Sequence, residues 1–147
     1  MGFCKLTLVL FLLLAVSCSQ SSSFDREIWM QHPDVADHYN PRLGMVQDVI
    51  KNHLRPGMAR KAVLDLLGLP YKEGFEVRLP TNIVVPDSLK HFETLERQAA
   101  YNDFFKSHGR STMLMKYAIG WSIIDPMFLV VQLDRRGMVV KYWGEES

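Results

Sequence analysis

The sequence is short of cysteine and of charge of one sign. Its two cysteines are Cys4 and Cys18, and Cys4 lies inside an apolar head, so a stabilising disulfide framework is excluded. Seventeen Lys and Arg stand against sixteen Asp and Glu. A nucleic-acid binder needs a basic excess to neutralise phosphates, and this chain has none. Beyond residue 17 no apolar run approaches the roughly 20 residues that cross a bilayer, which excludes a multi-spanning protein. There is also no G-x-S-x-G elbow, P-loop, dinucleotide-binding glycine pattern or H-E-x-x-H motif.

What is present begins with that head. Of the first 17 residues 13 are apolar, and Lys5 is the only charge. From Leu6 to Val16 the run would span only ~16 Å as a helix, about half a hydrocarbon core, so residues 1–17 read as a signal peptide. Leu14-Ala15-Val16-Ser17-Cys18 resembles the bacterial lipobox, with Ala15 where Leu is usual. The resemblance implies lipid attachment at Cys18 through a diacylglyceryl thioether. Several acyl chains hold a protein at a membrane far more firmly than one. Ser19 differs from the Asp associated with inner-membrane retention, so the implied location in a diderm host is the outer membrane, facing the periplasm. Residues 18–23 then form the lipidated N-terminus and a polar tether, and residues 24–147 one domain.

Within that domain the apolar spacing changes period. Residues 24–40 read as a short helical turn or extended arm. Met45, Val46, Val49, Ile50, His53 and Leu54 mark one helical stripe after Pro41; Met58, Ala62, Val63, Leu66 and Leu67 mark a second, closed by Gly68 and Pro70. Pro56-Gly57 turns between them. A strand is expected near residues 75–79, then a third helix capped by Asp87 or Ser88 and running to about Lys106, with Leu89, Phe92, Leu95 and Ala99 on one side. Three stretches of period two follow, over residues 112–119, 127–133 and 138–143, the last two joined at Asp134-Arg135-Arg136-Gly137. The expected fold is α+β: an N-terminal helix-turn-helix hairpin on a three- to four-stranded antiparallel sheet, with an additional inserted helix. Leu114, Phe128, Val130, Val139 and Trp143 fall on the far face with Lys116 and Lys141. That face needs cover, from the inserted helix or from a partner.

Residues 54–70, LRPGMARKAVLDLLGLP, resemble the L-x-x-G-M-[ST]-x-x-x-V-x-x-L-L-G-x-P signature of small bacterial lipoproteins of the SmpA/OmlA/BamE type. Their fold also resembles the repeat unit of β-lactamase inhibitor proteins. Residues 129–139, LVVQLDRRGMV, are similar to the L-x-V-x-F-D-x-x-G-x-V hairpin of the same family. Ala59 departs from the pattern, standing where Ser or Thr would cap the second helix at ~1 kcal/mol. The resemblance implies a non-catalytic accessory or assembly module of the envelope that presents a surface to a protein partner.

For chemistry, His32-Pro33-Asp34-Val35-Ala36-Asp37-His38 places His and carboxylate at short spacing and is the sole support for a metal-dependent or hydrolytic alternative. Pro33 interrupts regular structure there, and a solvated polar loop is the plainer reading. Ser122 and the pair Asp125 and Asp134 sit at turns, where such residues serve the backbone. No catalytic residue, metal ligand or cofactor is assigned. Trp29, Trp121, Trp143 and Phe128 are the candidate interface residues, because large aromatics dominate binding hot spots. Expected partners are a membrane, through the N-terminal lipid, and an envelope protein; a small lipid or glycan held between helices and sheet is a further alternative.

Overall fold

The computed structural model describes residues 22–80, 82–91 and 93–147. Residues 1–17, read from sequence as a signal peptide, and Cys18, residues 19–21 and Phe92 lie outside the described residues. The chain is α+β, in the order α1 (Arg26–Gln31), α2 (Arg42–Asp48), α3 (Arg60–Leu67), β1 (Lys72–Arg78), α4 (Leu95–His108), β2 (Arg110–Trp121), β3 (Pro126–Leu133) and β4 (Val139–Glu146). The four strands form one antiparallel sheet in sequential order, leaving β1 and β4 at its edges.

Local chemistry explains the helix ends. The Asp25 carboxylate accepts the N–H groups of Glu27 (2.9 Å) and Ile28 (3.1 Å), satisfying donors that the first turn of α1 leaves free. Helix α2 continues as a π-helical turn, Val49–His53, closed by the Leu54 N–H donating to the Val49 carbonyl at 2.9 Å. Gly68 ends α3 at φ +77°, a conformation that a side chain resists. Ala59, at the start of α3, makes no side-chain cap.

These helices cover one face of the sheet. Trp29, Met45, Val49, Leu54, Val63 and Leu67 are buried against Met115, Tyr117, Leu129, Val131 and Leu133. Full burial of each aliphatic side chain contributes about 1.5–3 kcal/mol. Aromatic tips tie the layers together: Trp29 Nε1 donates to the Leu67 carbonyl (3.1 Å), Tyr117 OH to Gly68 (3.2 Å) and Tyr142 OH to Leu54 (3.0 Å). All three acceptors lie at helix ends, where carbonyls lack intrahelical donors. The β3–β4 hairpin docks on the turn before α3, with Gly57 N–H donating to Val139 (2.7 Å), Val139 N–H to Met58 (2.8 Å) and Arg60 N–H to Gly137 (2.8 Å). The two segments that carry the family resemblance are therefore hydrogen-bonded to each other.

Two sequence expectations are corrected. Residues 87–106 are not one helix: Asp87–Leu89 form a 3-10 turn, and α4 begins after Thr94, whose hydroxyl accepts the Arg97 N–H at 3.3 Å. The Asp87 carboxylate is instead engaged by Lys90 at 2.6 Å. Leu95 and Ala99 are exposed, and α4 buries none of its described residues, packing chiefly on that 3-10 turn. It leaves the far sheet face to other residues. Val139, expected on that face, belongs to the helical core, because the register shifts between Gln132 and Leu133 and makes Val140 the extra residue of a bulge.

The far face has its own small core of Leu114, Ala118, Phe128 and Val130, with Val35 and Trp143 packed against it. Val35 comes from the loop between α1 and α2. Arg42 fastens that region from within: it is 2% exposed, its Nε donates to the Trp29 carbonyl (2.7 Å) and its Nη1 to Ala118 (3.1 Å), and its guanidinium lies 4.7 Å from the Trp29 ring centre. Burial lowers its pKa to about 10.

Candidate functional site

Helix α3 is too short to cover the whole sheet. It starts at Arg60, beside β1, so the outward row of β1 stays open: Phe75 is 71% exposed and Val77 51%. Both point to the helical side, since their register partners are Met113 and Ser111. A cleft of about 510 Å³ lies there, with Phe75, Met113, Leu133 and Val140 supplying apolar surface. Arg60 forms a wall by pairing with Glu73 through two hydrogen bonds, Nε to Oε1 at 2.6 Å and Nη2 to Oε2 at 2.8 Å. The hydrogen bond from Arg60 holds the Glu73 pKa below the usual carboxylate range, and Arg60 is raised in turn. At the other wall the Asp134 carboxylate accepts N–H groups from Met138 (2.9 Å) and Arg136 (2.8 Å), which lowers its pKa and fixes the hairpin. Gly137 completes that hairpin at φ +75°.

Comparison with protein-family profiles, curated proteins and solved structures returned no match. The site is therefore read from its own geometry.

The far face holds a second hollow of about 420 Å³, lined by Arg78, Leu79, Pro80, Arg110, Thr112, Gln132, Val140 and Lys141. Beside it an ion network crosses the whole sheet. Arg78 donates to Glu145 at 2.7 Å and to Glu76 at 3.3 Å, and Lys116 lies 3.1 Å from Glu76 and 3.3 Å from Glu145. Trp143 Nε1 donates to the second Glu145 oxygen at 3.1 Å. Burial would raise the Glu145 pKa, but the hydrogen bonds from Arg78 and Trp143 and the neighbouring cations outweigh it and hold it at about 2.

The residues singled out from sequence separate in space. Trp29 is fully buried and Phe128 nearly so; both are core residues that present no surface in this chain. Trp121 is half-buried, donating from Nε1 to the Val35 carbonyl at 2.6 Å and stacking on His38 at 4.3 Å. Trp143 is half-buried under Arg78 and Lys141. The His32–His38 stretch does not converge: His32 pairs with Asp37 at 3.0 Å while His38 turns to Trp121. Among the described residues no three His, Cys, Asp or Glu gather as a metal site. Ser122 hydrogen-bonds Glu146 and the Asp125 backbone, a turn-fixing role. Sequence reasoning missed Phe75, Val77 and Val140 as surface residues. Their exposure depends on where α3 begins relative to β1 and on the bulge, neither of which is written in apolar spacing.

Proposed function

We propose that this is a lipid-anchored protein of the cell envelope, of BamE-like type, that acts without catalysis by binding another envelope protein. The open cleft beside β1 carries this reading. β1 is an edge strand, and edge strands accept an added strand through free backbone groups. Phe75 and Val77 project from β1 toward the cleft, so the occupant that fits is an extended segment of a partner, paired along β1 with an apolar side chain in the hollow. Anchorage at Cys18, in the outer membrane facing the periplasm of a diderm host, rests on the lipobox-like residues 14–18.

Photo-crosslinking in cells tests the reading. A photoreactive residue at position 75 or 140 is expected to give one adduct of defined mass, lost when Phe75→Asp is added to the chain labelled at 140. The same label at Leu95 on α4 is expected to give none. No adduct at 75 and 140, or an equal pattern at 95, overturns it. For the anchor, Cys18→Ser should move the chain to the soluble fraction and end palmitate labelling; retention at the membrane without label removes that part.

A second reading has one observation in its favour. The cleft volume lies in the range of small-molecule sites, so a small lipid or glycan fits by size. Native mass spectrometry of the purified chain distinguishes it by a constant added mass.

A further inference from the structure

The far-face hollow is lined by three cations, of which the neighbouring carboxylates pair only one. Arg78 and Arg110 are direct register partners on β1 and β2, and both line the hollow. Like charges opposed across antiparallel strands are unfavourable. Lys141 on β4 brings a third cation to the same hollow, opposite Gln132 on β3. No carboxylate is among the lining residues. Glu76 and Glu145 compensate Arg78, but Arg110 and Lys141 make no salt bridge among the described residues, and Lys141 rests over the Trp143 ring at 5.2 Å. Thr112 and Gln132 add neutral hydrogen-bonding groups on the floor.

From this we infer that the hollow is a binding site for a phosphate-bearing anion, held by Arg110 and Lys141 with Arg78 at its border. A tetrahedral oxyanion presents several acceptor oxygens, matching the several N–H donors of an arginine and the ammonium of a lysine. It would also neutralise Arg110 and Lys141, the two cations of the hollow that no carboxylate pairs among the described residues. A volume of about 420 Å³ exceeds what a bare phosphate fills, so a phosphate monoester on a small polar body fits as well as the free ion. The hollow adjoins the cleft beside β1, sharing Thr112, Gln132 and Val140 with it, but its cations Arg78, Arg110 and Lys141 line only the hollow.

Calorimetric titration of the full chain in detergent tests it, with sodium phosphate and, separately, a hexose phosphate, each against sodium chloride at matched ionic strength. Saturable binding of either phosphate at about millimolar concentration or below is expected, and tighter binding of the hexose phosphate assigns the natural source to a monoester. Arg110→Gln and Lys141→Gln should each weaken binding by about tenfold while the melting temperature holds, as loss of a charge-assisted contact requires. Arg55→Gln, an exposed cation on the turn before α3, should leave binding unchanged. Absence of saturation, or equal weakening by Arg55→Gln, overturns the site and shows screening only.

Discussion

Replacing Glu145 by Gln keeps the size of the side chain and removes its charge. In the native protein that charge sits between Arg78 (2.7 Å) and Lys116 (3.3 Å), over the small core of the far face. The folded pKa of about 2 lies below the ordinary 4.5, so the folded state binds this proton more weakly than the unfolded chain does. The resulting stability is fully present above pH 4.5 and is lost as pH falls toward 2. A shift of about 2.5 pH units corresponds to a ceiling of ~3.4 kcal/mol at about 1.4 kcal/mol per unit. The side chain keeps a fifth of its surface in water, and solvent screening brings the expected contribution to about 2 kcal/mol. Urea unfolding followed by tryptophan fluorescence, for wild type and Glu145→Gln at pH 7, 5, 3 and 2, reads this directly. Glu73, Glu76, Asp48 and Asp134 are also lowered and make both proteins less stable in acid, so the informative quantity is the difference between them. It should be about 2 kcal/mol at pH 7 and shrink toward zero by pH 2. A difference that does not change with pH would refute the reasoning, because it would locate the effect in packing and not in charge.

Other perturbations test the helical side. Ala59→Ser supplies the missing cap at an exposed position of extended backbone and should stabilise the chain by about 1 kcal/mol, seen as a higher urea midpoint with unchanged slope. Arg42→Ala should destabilise by about 3–5 kcal/mol, since it leaves the Trp29 and Ala118 carbonyls unpaired and opens a cavity against Trp29. Arg42→Met fills the space and removes a buried charge, so its cost should be smaller; an equal or larger cost would show that the charge itself stabilises. Gly68→Ala should lower the melting temperature markedly, because a Cβ there meets Met30 Sδ at 2.5 Å in a backbone conformation that resists side chains.

The extent to which the fold was legible follows from which elements depend on local chemistry. The stripes at Val49 and Leu54 and at Val63 and Leu67 point inward as their spacing requires, and Gly68 and Gly137 adopt the positive φ that their turns need. Helix α4 was misread because Leu95 and Ala99 have helical spacing but no surface to pack on, and the effective cap is Thr94. Val139 changed faces because one extra residue in β4 inverts the alternation beyond it, and period-two reading cannot see a bulge. The aromatic candidates show the same limit: composition selects Trp and Phe for cores and interfaces alike. Trp29 and Phe128 went to the cores, while the open apolar surface fell to Phe75 and Val77.

The sequence by itself determined the α+β class, the helix pair, the terminal hairpin and the near balance of charge, because periodicity, turn residues and composition act over a few neighbouring positions. Tertiary structure alone decided the rest. Strand register opposed Arg78 to Arg110 and brought Lys141 alongside, making a local cationic hollow in a chain with almost no net charge. The length of α3 left β1 uncovered and so created the cleft. Both sites join residues dozens of positions apart, and only the pairing of strands and the packing of a helix across them bring such residues together.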